Sequence, residues 1–325
     1  MWSVVWPRSS VSSYGCVRCS PTPRCARSRP KWTGWCWRRR LKPRKVPSVD
    51  ADLLVPFSAG GGDASPLYCV HSASGSAYTY LPLAGMLDGR RVVGIEAPGY
   101  DSDGLPPTDL CVLAERYVQA VADDCRKPEA CLLGWSMGGS IAYAMAWRLR
   151  ALGIAVPLVV LVDALMHHTE TAPASREILT RFAINLVREG RDGRPEERVV
   201  TELRAWPVGA PVAQAWELLR RGGLIPEEFD AETLDRRFEV FRRNVHALHG
   251  YAPEPGYPGR LLVIDGEDSV RGHQRWADVA QDVRTVTVPG DHFSIWRGAG
   301  LAALGEHVSA ALREICPVPS RVVRT

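Results

Sequence analysis

Ala130-Cys131-Leu132-Leu133-Gly134-Trp135-Ser136-Met137-Gly138 is the stretch from which the rest of the chain is read. Its first four residues are a short apolar run, the next five spell G-x-S-x-G, and Ser140 to Leu152 follows as a helical pattern. Strand, sharp turn and helix in that order make a nucleophile elbow, which lifts a serine onto the carboxyl end of a strand. The turn demands small residues two before and two after the serine, and glycine also tolerates the strained backbone. Ser136 then stands at a helix N-terminus, where the Met137 N–H and the helix dipole can stabilise an oxyanion. Without these flanks the same motif would be a glycine-rich turn that happens to hold a serine.

The flanking sequence alternates in the same way. Folded sequence is expected from Asp52-Leu53-Leu54-Val55-Pro56, followed by a strand at Leu67–Val70 and a small-residue loop from His71 to Ser76. A helix is predicted over Tyr78–Leu87, a strand over Arg91–Ile95 and a helix over Asp109–Cys125. On the helix after Ser136, the residues Ile141, Met145, Leu149 and Leu152 form an apolar stripe, and Gly153 reads as its C-cap. Leu158–Val162 is continuously apolar, as in a parallel strand buried on both faces, and it ends at Asp163. The alternation then lapses. Helices are predicted over Glu177–Glu189, Glu196–Ala205, Val212–Arg220 and Ala231–His249, and such an all-helical insertion, about 165–250, reads as a lid. It resumes with the strand Arg260–Ile264, a helix Gly272–Gln281, the strand Val283–Val288 and a last helix Leu301–Ile315. The pattern predicts an α/β fold: a mostly parallel sheet with helices on both faces and a helical lid.

A serine needs a base to take its proton, and the base needs an acid to fix its tautomer. In a doubly wound sheet these groups belong just past strand carboxyl ends. His292, in Gly290-Asp291-His292-Phe293-Ser294, follows the strand Val283–Val288 and takes the role of base. The other seven histidines are placed less well. His167, His168, His246 and His249 fall in the insertion, His273 and His307 in predicted helices, and His71 precedes the serine. Two carboxylates suit the third role, Asp163 and Asp268, because both follow strands and both give the order Ser…Asp…His.

Leu67–Ala77, Gly134–Gly139, Asp163 and Gly290–Phe293 together resemble a thioesterase domain of the α/β-hydrolase fold, as found at the end of nonribosomal peptide synthetases. Phe238–Asn244 resembles the lid helix of that family. The similarity covers about residues 52–315. It implies that Asp163, at the end of the strand after the nucleophile helix, is the acid and Asp268 the alternative. It also implies that the Ala73 N–H is the second oxyanion donor beside Met137. Single-domain editing thioesterases are less similar, since they have His where this chain has Trp135. The implied chemistry is release of an acyl or peptidyl chain, by hydrolysis or macrocyclisation, through an acyl-enzyme on Ser136. The substrate would arrive on the phosphopantetheine of an acyl or peptidyl carrier protein, and no metal or bound cofactor is implied. A carboxylesterase or lipase would share the triad; a noncatalytic binding module on the same fold would lack a member of it.

The composition, 46% hydrophobic and 23% charged over 325 residues, is that of a globular protein with ample core. Its net charge of +4 conceals a division. Residues 1–49 carry twelve Lys/Arg and no Asp or Glu, which leaves 28 basic residues against 36 acidic ones in an acidic body with no footprint for nucleic acid. No run is long and apolar enough for a bilayer, and the first residues lack the apolar core of a signal peptide. Nine cysteines without an evident disulfide framework predict reduced thiols and a cytoplasmic setting. Residues 1–50 hold five of the eleven tryptophans and show no strand or helix period. Cys16-x-x-Cys19 lacks a second pair at metal-ligand spacing, so the segment is expected to be a disordered, basic leader to a domain spanning 51–325. Deleting residues 1–50 is therefore expected to leave Tm and thioester hydrolysis nearly unchanged, as thermal melts and a thiol-release assay would show.

Overall fold

The computed structural model describes residues 51–315, apart from 61–63, 88, 165, 167–172, 191–196, 206, 208–211, 226–228 and 270–275. The basic segment 1–50 with its four cysteines, and His167, His168 and His273, lie outside the described residues. Among the described residues seven strands form one sheet: β1 (Leu54–Ser58), β2 (Leu67–Val70), β3 (Val92–Ile95), β4 (Cys131–Trp135), β5 (Val159–Val162), β6 (Tyr257–Gly266) and β7 (Ala280–Val288). Their order across the sheet is β1-β3-β2-β4-β5-β6-β7. The edge strand β1 runs antiparallel to β3, and every other neighbouring pair is parallel. Every residue of β2, β3, β4 and β5 is buried, the outcome expected when apolar runs are covered on both faces.

Between these strands run α1 (Leu81–Ala84), α2 (Leu110–Asp124) and α3 (Met137–Ala151). The insertion holds α4 (Ser175–Gly190), α5 (Glu197–Arg204), α6 (Val212–Arg221) and α7 (Ala231–His249), and α8 (Gly298–Ile315) is the last described element. Successive strand residues point to opposite faces. Tyr68, Val70, Leu132, Val159 and Leu161 therefore pack with α2 and α3, whereas Leu67, Cys69, Leu133, Val160 and Val162 pack with α1 and α8. Each fully buried aliphatic side chain contributes roughly 1.5–3 kcal/mol, so the two clusters fix the register of the sheet. The insertion has its own apolar cluster, centred on Phe182, Trp216, Leu234 and Phe241. Among the described residues no helix is long and apolar enough to cross a membrane.

Three expectations are corrected in detail. The helix predicted over Tyr78–Leu87 is a 3₁₀ turn, Tyr78–Tyr80, running into the four-residue α1. Where a helix was expected over Gly272–Gln281, the described part is a 3₁₀ turn at Trp276–Asp278, and Ala280 already pairs with Tyr257 as the start of β7. Leu152 is not part of the buried stripe on α3. It sits at the C-cap and is exposed.

The turn between β4 and α3 leaves no room for side chains at its glycines. A Cβ on Gly134 would lie 2.1 Å from the Gly138 carbonyl oxygen, and one on Gly138 would lie 2.4 Å from Val70 O and 2.5 Å from His71 O. The neighbours are backbone, which cannot swing aside. Gly138→Ala should thus destabilise the fold by about 2 kcal/mol or more, read as a lower midpoint in urea unfolding.

Candidate active site

Three strand ends build the site. Ser136 follows β4 with φ 57° and ψ −126°, a conformation that lifts its hydroxyl clear of the sheet. Asp163 follows β5 with φ 42°. Among the described residues these two are the non-glycine residues with positive φ, and strain of this kind collects at functional sites. His292 follows β7. Its Nε2 lies 3.1 Å from Ser136 Oγ and its Nδ1 lies 2.5 Å from Asp163 Oδ2. Ser136 is buried, while the His292 ring remains about a quarter exposed, at 27%. A single imidazole thus joins a hydroxyl to a carboxylate, and the carboxylate fixes Nδ1 as the protonated nitrogen, leaving Nε2 to accept from the hydroxyl.

Both Asp163 oxygens are engaged, since the Gly266 N–H donates to Oδ1 at 3.3 Å. Burial pushes this carboxyl up. The hydrogen bond and charge of His292, helped by the Gly266 N–H, outweigh it and hold the carboxyl below its ordinary range. Asp268, the other carboxylate that the sequence allowed, is exposed in the turn after β6 and contributes its backbone N–H to Gly290 O at 3.0 Å. The two ring nitrogens of His292 are taken by Ser136 and Asp163.

Met137 is the first residue of α3, where a helix has N–H groups without intrahelical acceptors. Ala73 lies on the loop after β2, and that loop touches the elbow backbone-to-backbone at Gly138. The Ala73 carbonyl accepts from Asn244 Nδ2 on α7 at 3.1 Å. The aromatic walls come from Trp135, whose ring centroid is 5.0 Å from that of His292, and from Phe293, edge-on to His292 at 5.2 Å.

Several of these contacts escaped the sequence reading. Asn244 carried a signal, as a polar residue on the apolar face of α7 that also holds Val240, Phe241, Ala247 and Leu248. Arg188 of α4 carried none, because its partner is 103 residues away. Its guanidinium donates to Asp291 Oδ2 at 2.6 Å and lies over the Phe293 ring, 4.4 Å from its centroid. Asp291 Oδ1 in turn accepts from the Phe293 and Ser294 N–H groups at 3.0 and 2.9 Å.

A doubly wound sheet with an elbow serine, a histidine and an aspartate at its carboxyl edge defines an α/β hydrolase. Residues 65–312 match the thioesterase domain family, and the chain belongs to that family, whose members are serine hydrolases acting on thioesters. It is 33% identical over 274 residues to a dimodular nonribosomal peptide synthase of Bacillus subtilis (strain 168), an alignment covering 81% of this chain and 11% of that protein. An orsellinic acid synthase of Armillaria mellea is 25% identical over 273 residues, again 81% of this chain and 11% of that one. The chain therefore spans about a tenth of the length of these relatives. Among solved structures, a four-domain nonribosomal peptide synthetase bound to AMP and glycine superposes with a TM-score of 0.70 at 23% identity, covering 82% of this chain and 20% of that one. The NocB thioesterase domain, in covalent complex with a fluorophosphonate nocardicin G analogue, superposes at 0.51 and 27% identity, covering 77% of this chain and 96% of that one.

The carboxylates at the site also set a pH dependence. Burial raises the Asp291 carboxyl, but Arg188 and the Ser294 and Phe293 N–H groups outweigh it and leave it well below the usual carboxylate range. A carboxyl depressed on folding contributes stability above its unfolded value, about 3.9, and loses it as pH falls through the folded value. Wild-type Tm should therefore fall on acidification from pH 5 to 3. The fall should be smaller in Asp291→Asn, which no longer has that group to protonate; parallel curves for the two proteins would refute the assignment.

Proposed function

We propose that Ser136, His292 and Asp163 form the catalytic triad of a serine thioesterase, one that releases an acyl or peptidyl chain from the phosphopantetheine of a carrier protein. The observation that carries this reading is the imidazole shared between Ser136 Oγ and Asp163. Ser136 Oγ attacks the thioester carbonyl as His292 Nε2 takes its proton, and Asp163 stabilises the imidazolium. The Ala73 and Met137 N–H groups receive the oxyanion. The C–S bond breaks, the thiol leaves with the proton from His292, and the chain remains esterified to Ser136. Water, or an amine or hydroxyl of the same chain, gives its proton to His292 and attacks the ester; the acyl–Oγ bond then breaks, His292 returns that proton to Ser136 Oγ, and the product leaves as an acid or a macrocycle. The insertion 165–250 acts as the lid over this step in a domain that spans 51–325. A cytoplasmic setting and a carrier-protein partner belong to the same reading.

Ser136→Ala removes the nucleophile and creates little void. It should abolish turnover of acyl N-acetylcysteamine thioesters while leaving Tm unchanged, and wild-type protein should gain the acyl mass on Ser136 in a stopped reaction. Undiminished hydrolysis by Ser136→Ala would overturn the covalent mechanism. Labelling by a fluorophosphonate separates this reading from a noncatalytic module, and preference for oxygen esters over thioesters would point to a carboxylesterase.

The acid has its own test. Asp163→Asn keeps the shape but removes the charge and the tautomer lock, so kcat should fall by on the order of 10⁴. Asp268→Asn should retain most of its activity. The opposite ranking, in variants that circular dichroism shows to be folded, would transfer the role to Asp268.

A further inference from the structure

We propose that His71 is a positioning residue that aims the Ala73 N–H at the oxyanion. The inference rests on the serine-thioesterase reading and concerns how its oxyanion site is built. His71 follows β2 and is fully buried. Its Nδ1 lies 2.5 Å from Ser72 O and its Nε2 lies 2.6 Å from the hydroxyl of Tyr117 on α2. The two rings meet edge-on at 5.5 Å.

The chemistry of the partners fixes the proton positions. A carbonyl oxygen can only accept, so Nδ1 carries the hydrogen and donates to Ser72 O. In a neutral ring Nε2 is then an acceptor, and the Tyr117 hydroxyl donates to it. The ring is neutral because burial disfavours its cation. Its pKa is pushed down to about 4 by desolvation, with the Ser72 hydrogen bond opposing.

Ser72 O accepts a second hydrogen bond, from the Gly75 N–H at 3.1 Å. The peptide joining Ser72 to Ala73 is planar and trans, so its C=O and N–H point in opposite directions. Holding the Ser72 oxygen toward His71 and Gly75 therefore directs the Ala73 N–H the other way. Asn244 holds the following peptide through Ala73 O, and the donor residue is fixed on both sides. His71 transfers no proton; its contribution is to spare the N–H from reorienting as charge develops.

Asparagine and glutamine separate this role from mere core filling. An Asn amide nitrogen falls near the position of Nδ1, whereas a Gln amide falls near Nε2. His71→Asn can therefore still donate to Ser72 O, and His71→Gln cannot. With the full chain and an acyl N-acetylcysteamine thioester, His71→Gln should lower kcat by about 100-fold with KM little changed, the scale of losing one oxyanion donor. His71→Asn keeps the donor to Ser72 O and should stay within about tenfold of wild type, well short of the loss of an oxyanion donor. Equal kcat values for the two variants, or losses that follow Tm alone, would overturn the proposal.

Tyr117→Phe supplies an independent arm if neither histidine variant folds. It keeps the ring packing but releases the tautomer lock, and should reduce kcat severalfold at unchanged KM; unchanged kcat would overturn the proposal. Ser136→Ala tells the two levels apart. If Ser136→Ala is inactive while His71→Gln matches wild type, the His71 role fails alone. If Ser136→Ala is active, the serine mechanism fails with it.

Discussion

Everything in the site depends on one imidazole reaching two strained residues on neighbouring strands. Positive φ at Ser136 and Asp163 costs on the order of 1–3 kcal/mol at each, and it persists where the surroundings over-determine the backbone. The parallel sheet does this by continuing its ladder one residue past each strand. The Ser136 N–H donates to Val162 O at 3.0 Å, and the Asp163 N–H donates to Ile264 O at 2.7 Å. The N–H of Trp135, last residue of β4, is held by the hydroxyl of Tyr80 at 3.0 Å, and that hydroxyl donates to Val70 O. The order β2-β4-β5-β6 is thus more than a scaffold. β5 supplies the acceptor that keeps Ser136 in place, and β6 the one that keeps Asp163 in place.

The same arrangement decides which carboxylate serves the histidine. Asp291 is adjacent to His292 in sequence, yet Arg188, the Ser294 hydroxyl and two backbone N–H groups occupy its oxygens. Its charge is spent on shaping the turn. Asp163 instead meets Nδ1 directly while largely buried, where a charge–charge interaction is screened least. A depressed carboxyl in that position stays ionised throughout the neutral range, and in the proposed mechanism it would be the counter-ion of the imidazolium.

The strands and the elbow were legible because their signals are local: apolar runs, a G-x-S-x-G turn and a helical period on either side. Ser136 and His292 followed from the rule that reactive groups sit past strand carboxyl ends. That rule could not separate Asp163 from Asp268, since both satisfy it, and the family resemblance made the choice that the geometry at Nδ1 supports. Local signals also misled. The run Gly272–Gln281 has a helical pattern, but its last residues are drawn into β7 by pairing with β6. Leu152 looked like a core residue by period and lies one turn beyond where α3 is covered. Arg188 with Asp291, and Tyr117 with His71, join residues far apart in the chain, and no periodicity registers such pairs.

Those long-range pairs give the helical insertion a specific relation to the chemistry. Its interior is apolar and aromatic, with Phe182 in edge contact with Trp216, Phe238 and Phe241, so α4, α6 and α7 hold together as a unit. Its links to the body include polar contacts at single points. Arg188 reaches the turn that carries His292, Asn244 reaches the Ala73 carbonyl, and Arg237 stacks on Tyr100 with its group 3.8 Å from the ring centroid. The neutral bond from Asn244 contributes only about 0.5–1.5 kcal/mol and the charged one from Arg188 about 1.5–3 kcal/mol, each less than the apolar cluster it anchors. Two of the anchors end next to the site, Arg188 on the turn that carries His292 and Asn244 on the carbonyl of Ala73. Under the mechanism proposed above, a displacement of the insertion would therefore bear on the base and on the oxyanion donor together.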